Sequence, residues 1–202
     1  MSPDDKNRED ETLANQPQSK ESGGENLLHL MQSKRFLPLF LTQALGALND
    51  NLFKNALVVL ITYKMLHLSP EEAKAMVTQA AGIFILPFFL FSAIAGQIAD
   101  KFEKSRLIRL TKYLEIIIMV LASYGFLTNS PVYLMVVLFL MGTQSAFFGP
   151  LKYSILPDHM RDEELIGANG LVEAGTFLSI LIGTSIGGIV IMTEDGLMTV
   201  PL

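Results

Sequence analysis

Five long apolar segments dominate the chain after residue 35. They cover about residues 36–61, 77–99, 107–127, 132–148 and 169–192. Each meets or approaches the length of about 20 apolar residues that a helix needs to cross a bilayer core. The turn-forming stretch TNSPVY, residues 128–133, divides an uncharged run that is too long for one helix. The pattern therefore predicts an all-α fold, a polytopic membrane bundle with five spanning helices.

The amino-terminal segment has the opposite composition. Residues 1–26 are rich in Asp, Glu, Asn, Gln and Ser, and after Met1 their only hydrophobic side chains are Leu13 and Ala14. Such a segment buries too little surface to offset its ordering entropy, and it lacks the basic start and apolar centre of a signal peptide. We therefore predict a disordered cytoplasmic tail over residues 1–34 and a membrane domain over residues 35–202.

Composition and charge agree with a membrane protein. The chain is 50% hydrophobic and 17% charged, with a mean hydropathy of +0.39. The alternative, a soluble all-α domain, seldom contains such long uncharged helices. Basic residues concentrate in alternate connections: Lys34 and Arg35, then Lys101, Lys104, Arg106, Arg109 and Lys112, then Lys152 and Arg161. Because basic residues near membrane ends stay inside, the amino terminus is predicted to be cytoplasmic.

The first apolar segment carries a polar stripe. Residues three or four apart share a helix face, which places Gln43, Ala47, Asp50 and Lys54 in one line with Asn51 and Asn55 beside it. A charge at the bilayer centre costs roughly 2.5–3.5 kcal/mol on insertion scales, so the stripe is predicted to face the bundle interior or a wet cavity. Two interpretations stay open: a face that contacts solute, or an Asp50–Lys54 ion pair that only fixes helix packing.

The connection after the second segment carries a recognisable motif. GQIADKFEKSRLI, residues 96–108, resembles the signature G-x-L-A-D-R-x-G-R-R of the major facilitator superfamily. Gly96, Ala99, Asp100, Lys101 and Lys104 match it, whereas Glu103 replaces a glycine and Ser105 a basic residue. The small residues at Gly96 and Ala99 also favour close helix contact. The resemblance implies a gating network between two halves, made here by Gly96, Asp100, Lys101, Lys104 and Arg106.

Three further stretches are similar to the lysophospholipid transporter branch of that superfamily. They are QALGALNDNLFKNALVVL (43–60), GPLKYSILPD (149–158) and ANGLVEAGTFLSILIGTSIGG (168–188). Members of that branch flip lysophospholipids, chiefly lysophosphatidylethanolamine, across the bacterial inner membrane. Because superfamily members have two six-helix halves, the resemblance also implies that this chain is an amino-terminal fragment whose partner is a missing carboxy-terminal half.

The resemblance gives the polar residues candidate roles. Asp50 suits the ammonium group of the head group and Lys54 suits its phosphate. Gln43, Asn51 and Asn55 complete the substrate-binding set on the first helix, and Glu173 and Gln144 are candidates on later helices. For Glu173 the alternative is a residue at the end of a helix near the interface, and for Gln144 it is a bond to a neighbouring helix.

Other functions remain as alternatives. The protein could be a facilitator for a drug or small solute, or the membrane part of a fused phospholipid acyltransferase. The chain contains no His-x4-Asp pair, P-loop, zinc spacing or serine elbow, and it has no cysteine. We therefore predict no catalytic residue, cofactor or metal site within it, so that any acyltransferase activity would lie outside it. The basic residues lack interleaved aromatics, which argues against nucleic-acid binding.

Overall fold

The described part of the chain folds into five long helices. The computed structural model describes residues 27, 29–64 and 69–192. The long helices are α1 (Leu37–Val59), α2 (Pro70–Lys101), α3 (Lys104–Leu127), α4 (Pro131–Ser154) and α5 (Asp162–Met192). α1 continues into a π-helical turn, Leu60–Lys64, and a connecting helix, Leu156–His159, joins α4 to α5. All five long helices have the length and composition to cross a membrane. The predicted all-α bundle with five spans is confirmed.

Several helices extend beyond the apolar segments that predicted them. α2 begins at Pro70 because Ser69 caps it: the Ser69 hydroxyl accepts a 3.3 Å hydrogen bond from the Glu72 backbone, and the Glu72 carboxylate accepts one from the Ser69 backbone. α5 begins at Asp162 with three acidic residues in its first turn, where the helix dipole favours them. Polar capping therefore adds turns that hydropathy alone does not indicate.

Proline has two different effects near the end of α4. Because proline has no backbone N–H and its ring clashes with the preceding turn, Pro150 and Pro157 are expected to break the helix after the fourth segment, but Pro150 lies inside α4, which continues to Ser154. The prediction was wrong for Pro150 because membrane helices tolerate proline where neighbours supply the lost backbone interactions. Pro157 lies in the first turn of the connecting helix, where its missing N–H costs nothing.

The predicted turn between the third and fourth spans is present. α3 ends at Leu127 and α4 begins at Pro131, and between them Asn129 adopts a left-handed conformation with φ of 49°. Asparagine is among the few non-glycine residues that enter this region readily. Most of the predicted tail, residues 1–26 and 28, lies outside the described residues. Near its end, Leu30 is buried and packs with Phe36 and Met160.

Two helix pairs carry most of the packing. α1 packs along α5 and α2 along α4, while α3 lies mainly against α4. Gly183 and Gly187 of α5 lie against the backbone of α1, where a Cβ would overlap the carbonyl oxygens of Leu48 and Leu52. Two small residues four apart on a membrane helix permit such a close approach of backbones, and the structure has it here. By contrast, no described residue lies within 4 Å of a Cβ placed at Gly96, so a close contact there stays a prediction, whereas Ala99 three residues later is buried.

Buried polar groups lie between two apolar clusters. One cluster joins the second half of α1 to the first half of α4, around Leu57 and Leu138, and the other surrounds Phe36 and Leu156 at the opposite end. The buried polar side chains between them are Gln43, Thr111, Gln144 and Ser179. Large apolar side chains point outward, including Phe89, which is 89% exposed. This inverted pattern suits a bundle surrounded by acyl chains.

Candidate functional site

A polar cavity of about 190 Å³ lies between α1, α3 and α4. Its polar and charged lining consists of Gln43, Asp50, Lys112, Glu115, Gln144, Ser145, Lys152 and Thr176. Asp50 lies about 20 Å along α1 from Leu37, at 1.5 Å per residue, which is within the roughly 30 Å core of a bilayer. The cavity therefore places charged groups at membrane depth, as the polar stripe on α1 predicted.

Asp50 is fixed by one neighbour and has one free oxygen. The Ser145 hydroxyl donates a hydrogen bond of 2.7 Å to Oδ2 of Asp50. The other oxygen, Oδ1, is buried and has no hydrogen-bond partner among the described residues. A buried carboxylate oxygen without a partner is costly, so it is available to a cationic or hydrogen-bonding ligand in the cavity.

Glu115, the second acidic residue that lines the cavity, is paired with a lysine of its own helix. The Lys112 ammonium lies 2.7 Å from Oε2 of Glu115, and Gln144 donates a hydrogen bond of 3.1 Å to the same oxygen. Lys112 also lies 4.2 Å from the centroid of the Phe148 ring, which gives it a cation–π contact. Gly46 makes room for this ammonium, because a Cβ there would overlap it.

The lining of the cavity carries both signs of charge. Asp50 and Glu115 contribute two acids and Lys112 and Lys152 two bases, of which Lys112 pairs with Glu115 and Lys152 lies 3.9 Å from Glu173 outside the lining. In the part of the chain that the structure describes, no three His, Cys, Asp or Glu side chains are placed to hold a metal ion. Such a cavity matches a ligand that carries both signs of charge better than a simple anion or cation.

Most of the other polar residues of the stripe bind neighbouring backbone. Gln43 donates to the Val172 carbonyl at 2.8 Å and accepts from the Thr176 hydroxyl at 3.0 Å, so it ties α1 to α5 while lining the cavity. Asn55 donates to the carbonyl of Thr184, also on α5. Asn51 donates to the carbonyl of Ala47 in its own helix. Neither Asn51 nor Asn55 lines the polar cavity.

Lys54 lies apart from Asp50. It lines a separate cavity of about 280 Å³ between α1 and α2, and its ammonium is 4.3 Å from the centroid of the Phe84 ring. Although both side chains are described, Asp50 and Lys54 form no ion pair. The ion-pair interpretation is therefore wrong: Asp50 bonds Ser145 on α4, and the Lys54 ammonium lies over the ring of Phe84 on α2.

Glu173 lies beside the cavity rather than in it. Its carboxylate accepts a hydrogen bond from the Tyr153 hydroxyl and lies 3.9 Å from the Lys152 ammonium. Lys152 is a lining residue, so the contact joins the cavity wall of α4 to α5. Gln144 does line the cavity, and it also bonds Glu115 on a neighbouring helix.

An apolar groove of about 480 Å³ adjoins the polar cavity. It lies between α2, α3 and α4, and Gln144 lines both spaces. Its α3 wall runs from Leu107 to Leu121, about 21 Å at 1.5 Å per residue. One leaflet of a roughly 30 Å hydrocarbon core is about 15 Å thick, so the groove is long enough for one acyl chain.

The residues of the superfamily motif lie at one end of the bundle. Lys104 bonds Asp158 at 2.7 Å and the Ser154 carbonyl at 2.9 Å, and so ties the start of α3 to the end of α4. Arg106 pairs with Glu103 at 2.8 Å. Asp100 is exposed, without an ion pair among the described residues, and Lys101 lies 5.8 Å from the Phe102 ring centroid. Gating by this set, with Gly96, stays a prediction.

Sequence reasoning missed several lining residues. Lys112 and Lys152 were interpreted only as topology signals, and Glu115, Ser145 and Thr176 had no role in the cavity. One available signal was the spacing of Lys112 and Glu115, which lie three residues apart at the end of the charged part of α3, since the helix carries no charge from residue 116 onward.

A bundle of five spanning helices around a charged interior cavity defines a multi-pass membrane protein. The family description Major Facilitator Superfamily matches residues 39–195, more than half of the chain. The chain belongs to that superfamily.

Its curated relatives include bacterial proteins named lysophospholipid transporter LplT. The one from Serratia proteamaculans (strain 568) is 31% identical over 157 residues, which cover 78% of this chain and 36% of the relative. Those from Cronobacter sakazakii and Escherichia fergusonii are 29% and 30% identical, with 77% and 78% of this chain and 36% of each relative covered. The chain thus spans about a third of the length of these relatives. No solved structure matches it at a significant level.

Proposed function

We propose that this chain contributes to a transporter that moves lysophospholipids, of the lysophosphatidylethanolamine type, across the bacterial inner membrane. The observation that carries the proposal is the junction of the polar cavity and the apolar groove at Gln144. A lysophospholipid has one charged head group and one acyl chain, and each of the two spaces suits one of these parts. The names of the curated relatives support the same substrate class.

In this proposal the head group occupies the polar cavity. The free Oδ1 of Asp50 accepts a hydrogen bond from the ethanolamine ammonium, and Lys152 faces the phosphate. Charge-assisted hydrogen bonds of this kind are stronger than neutral ones. Lys54 lies outside the polar cavity and does not contact the phosphate while the head group is bound there. In this proposal it contacts the phosphate after the lipid has moved further along α1.

The proposed topology follows the basic residues. Arg35 donates to the His159 carbonyl at 3.1 Å, and Lys104 bonds Asp158, so the starts of α1 and α3 and the end of α4 meet at one end of the bundle. We place this basic end in the cytoplasm, with the amino terminus, since basic residues stay on that side. The motif residues Gly96, Asp100, Lys101, Lys104 and Arg106 then form the cytoplasmic gate.

Transport by the complete protein in proteoliposomes tests the proposal. We expect Asp50→Asn to slow lysophosphatidylethanolamine flipping at least about tenfold, because the amide keeps the shape but loses the charge. Ser123→Ala is the matched control, since the Ser123 hydroxyl bonds only the Met119 carbonyl of its own helix on an exposed face. Full activity of Asp50→Asn, or transport of a cationic drug without any lysolipid flipping by the parent protein, would overturn the proposal.

A further inference from the structure

A basic cleft of about 420 Å³ lies at the end of the bundle where α1 and α3 begin. Its cationic side chains are Lys34 and Arg35 before α1 and Arg109 on α3, and the ring of His159 on the connecting helix lines the cleft with them. No carboxylate lines it in the described part of the chain. The cleft shares no lining residue with the polar cavity.

Two of the cations are free to bind a ligand. The side chains of Lys34 and Arg109 are exposed, and neither has an ion pair or hydrogen bond within the described ranges. Arg35 is held in position by the His159 carbonyl at 3.1 Å and by Glu164 at 3.5 Å. Glu164 lies closer to Arg161, at 2.8 Å, so its carboxylate neutralises the positive charge of Arg35 only in part.

The rest of the lining is mainly apolar. Leu39, Ile108 and Ile155 form an apolar surface, and Thr42 and Ser105 add two hydroxyl groups beside it. A small inorganic anion would make no favourable contact with this apolar surface. A phospholipid has both parts, because its phosphate carries the charge and its glycerol and acyl regions are apolar.

We propose that the basic cleft binds the phosphate head group of an anionic membrane phospholipid. Lys34 and Arg109 contact the phosphate oxygens, and the first carbons of the lipid lie on the apolar surface. The bound lipid joins the start of α1, the start of α3 and the connecting helix, which stabilises this end of the bundle. The inference is independent of the transported substrate, since it uses other residues.

Lipid titration of the complete protein in a neutral detergent tests the site. The probe is phosphatidylglycerol, and the readout is the apparent affinity from the rise in the unfolding temperature. Each of Lys34→Gln and Arg109→Gln is expected to weaken binding about fivefold, and the double variant about 25-fold, from roughly 1 kcal/mol per basic residue near a lipid surface. Since neither side chain has a partner among the described residues, both variants should unfold like the parent protein without lipid.

Three controls define the result. Arg106→Gln removes a nearby exposed cation that is paired with Glu103 and lies outside the cleft, and it should change the affinity less than twofold. Phosphatidylcholine and inorganic phosphate should not raise the unfolding temperature at the same concentrations. Equal weakening by Arg106→Gln would mean diffuse attraction and overturn the site. Equal stabilisation by inorganic phosphate would overturn its assignment to a lipid, and equal stabilisation by phosphatidylcholine would overturn the role of charge.

Discussion

The hydroxyl of Ser145 on α4 donates a 2.7 Å hydrogen bond to the carboxylate of Asp50 on α1. This bond joins the two main helix pairs of the bundle inside the polar cavity. It also directs the second carboxylate oxygen to the position where we place the ammonium group of the substrate. Ser145 is therefore a positioning residue for Asp50 in the proposed transporter.

Ser145→Ala should separate these two effects. Removing one hydrogen bond between membrane helices is expected to lower the free energy of unfolding by about 1 kcal/mol, measured in mixed micelles. Lysolipid flipping should fall as well, because the Asp50 side chain is no longer held. Ser123→Ala, on an exposed face of α3, should change neither quantity. Loss of stability with unchanged flipping would limit Ser145 to a packing role.

Because Lys112 and Glu115 form an ion pair, substitutions at the two positions should change the free energy of unfolding non-additively. Both side chains are largely buried, with 21% and 13% exposure, so Glu115→Leu leaves an ammonium without its acid at membrane depth. We expect the free energy of unfolding to fall by about 3 kcal/mol, the low end of the range for buried pairs, because some exposure remains.

The double variant Lys112→Met/Glu115→Leu completes this cycle. It removes both charges and should restore part of the lost stability, because neither group is left unpaired. A double variant that is less stable than Glu115→Leu would contradict this account of the cavity wall.

The contact between α1 and α5 depends on the absence of a side chain at Gly183. Gly183→Ala should lower the free energy of unfolding by about 1–3 kcal/mol, the usual cost of overpacking, because the new methyl group meets the Leu48 carbonyl. Gly170→Ala is the matched control on the same helix, where a Cβ has open space. Equal stability of the two variants would show that α1 and α5 can separate without cost.

The apolar groove predicts a dependence on acyl-chain length. Ile117→Phe narrows the groove and should slow flipping of a palmitoyl lysolipid about tenfold, equivalent to lost burial of roughly two methylene groups at about 0.8 kcal/mol each. A decanoyl lysolipid should be affected much less. Ile116→Phe, at a neighbouring exposed position outside the groove, serves as the control. Equal slowing for both chain lengths would place the acyl chain elsewhere.

The helices were predictable from the sequence, and the cavity was predictable only in part. Long uncharged segments leave few alternatives to spanning helices, and the position of Asp50 at membrane depth followed from counting residues. Periodicity shows which side chains share one helix face, but not which helices are neighbours. Ser145, Lys112 and Glu115 could therefore not be assigned to Asp50 before α3 and α4 were placed beside α1.

Lys54 shows the same limit. It lies one turn from Asp50 in the sequence, and an ion pair between them was a sound expectation for an isolated helix. The presence of Phe84 on α2 and Ser145 on α4 decides the outcome, and both are set by tertiary packing.

The tight pairing of α1 with α5 and of α2 with α4 constrains how the cavity can change its width. In each pair a glycine of one helix lies against the backbone of the other, so the pair is tightly packed and expected to move as one body. Contacts between α1 and α4 are much fewer. Widening the space between them is therefore expected to come from movement of one helix pair away from the other as a rigid body, rather than from the bending of a single helix. The Asp50–Ser145 hydrogen bond joins α1 to α4 and therefore connects the two helix pairs. It must break whenever the two pairs move apart.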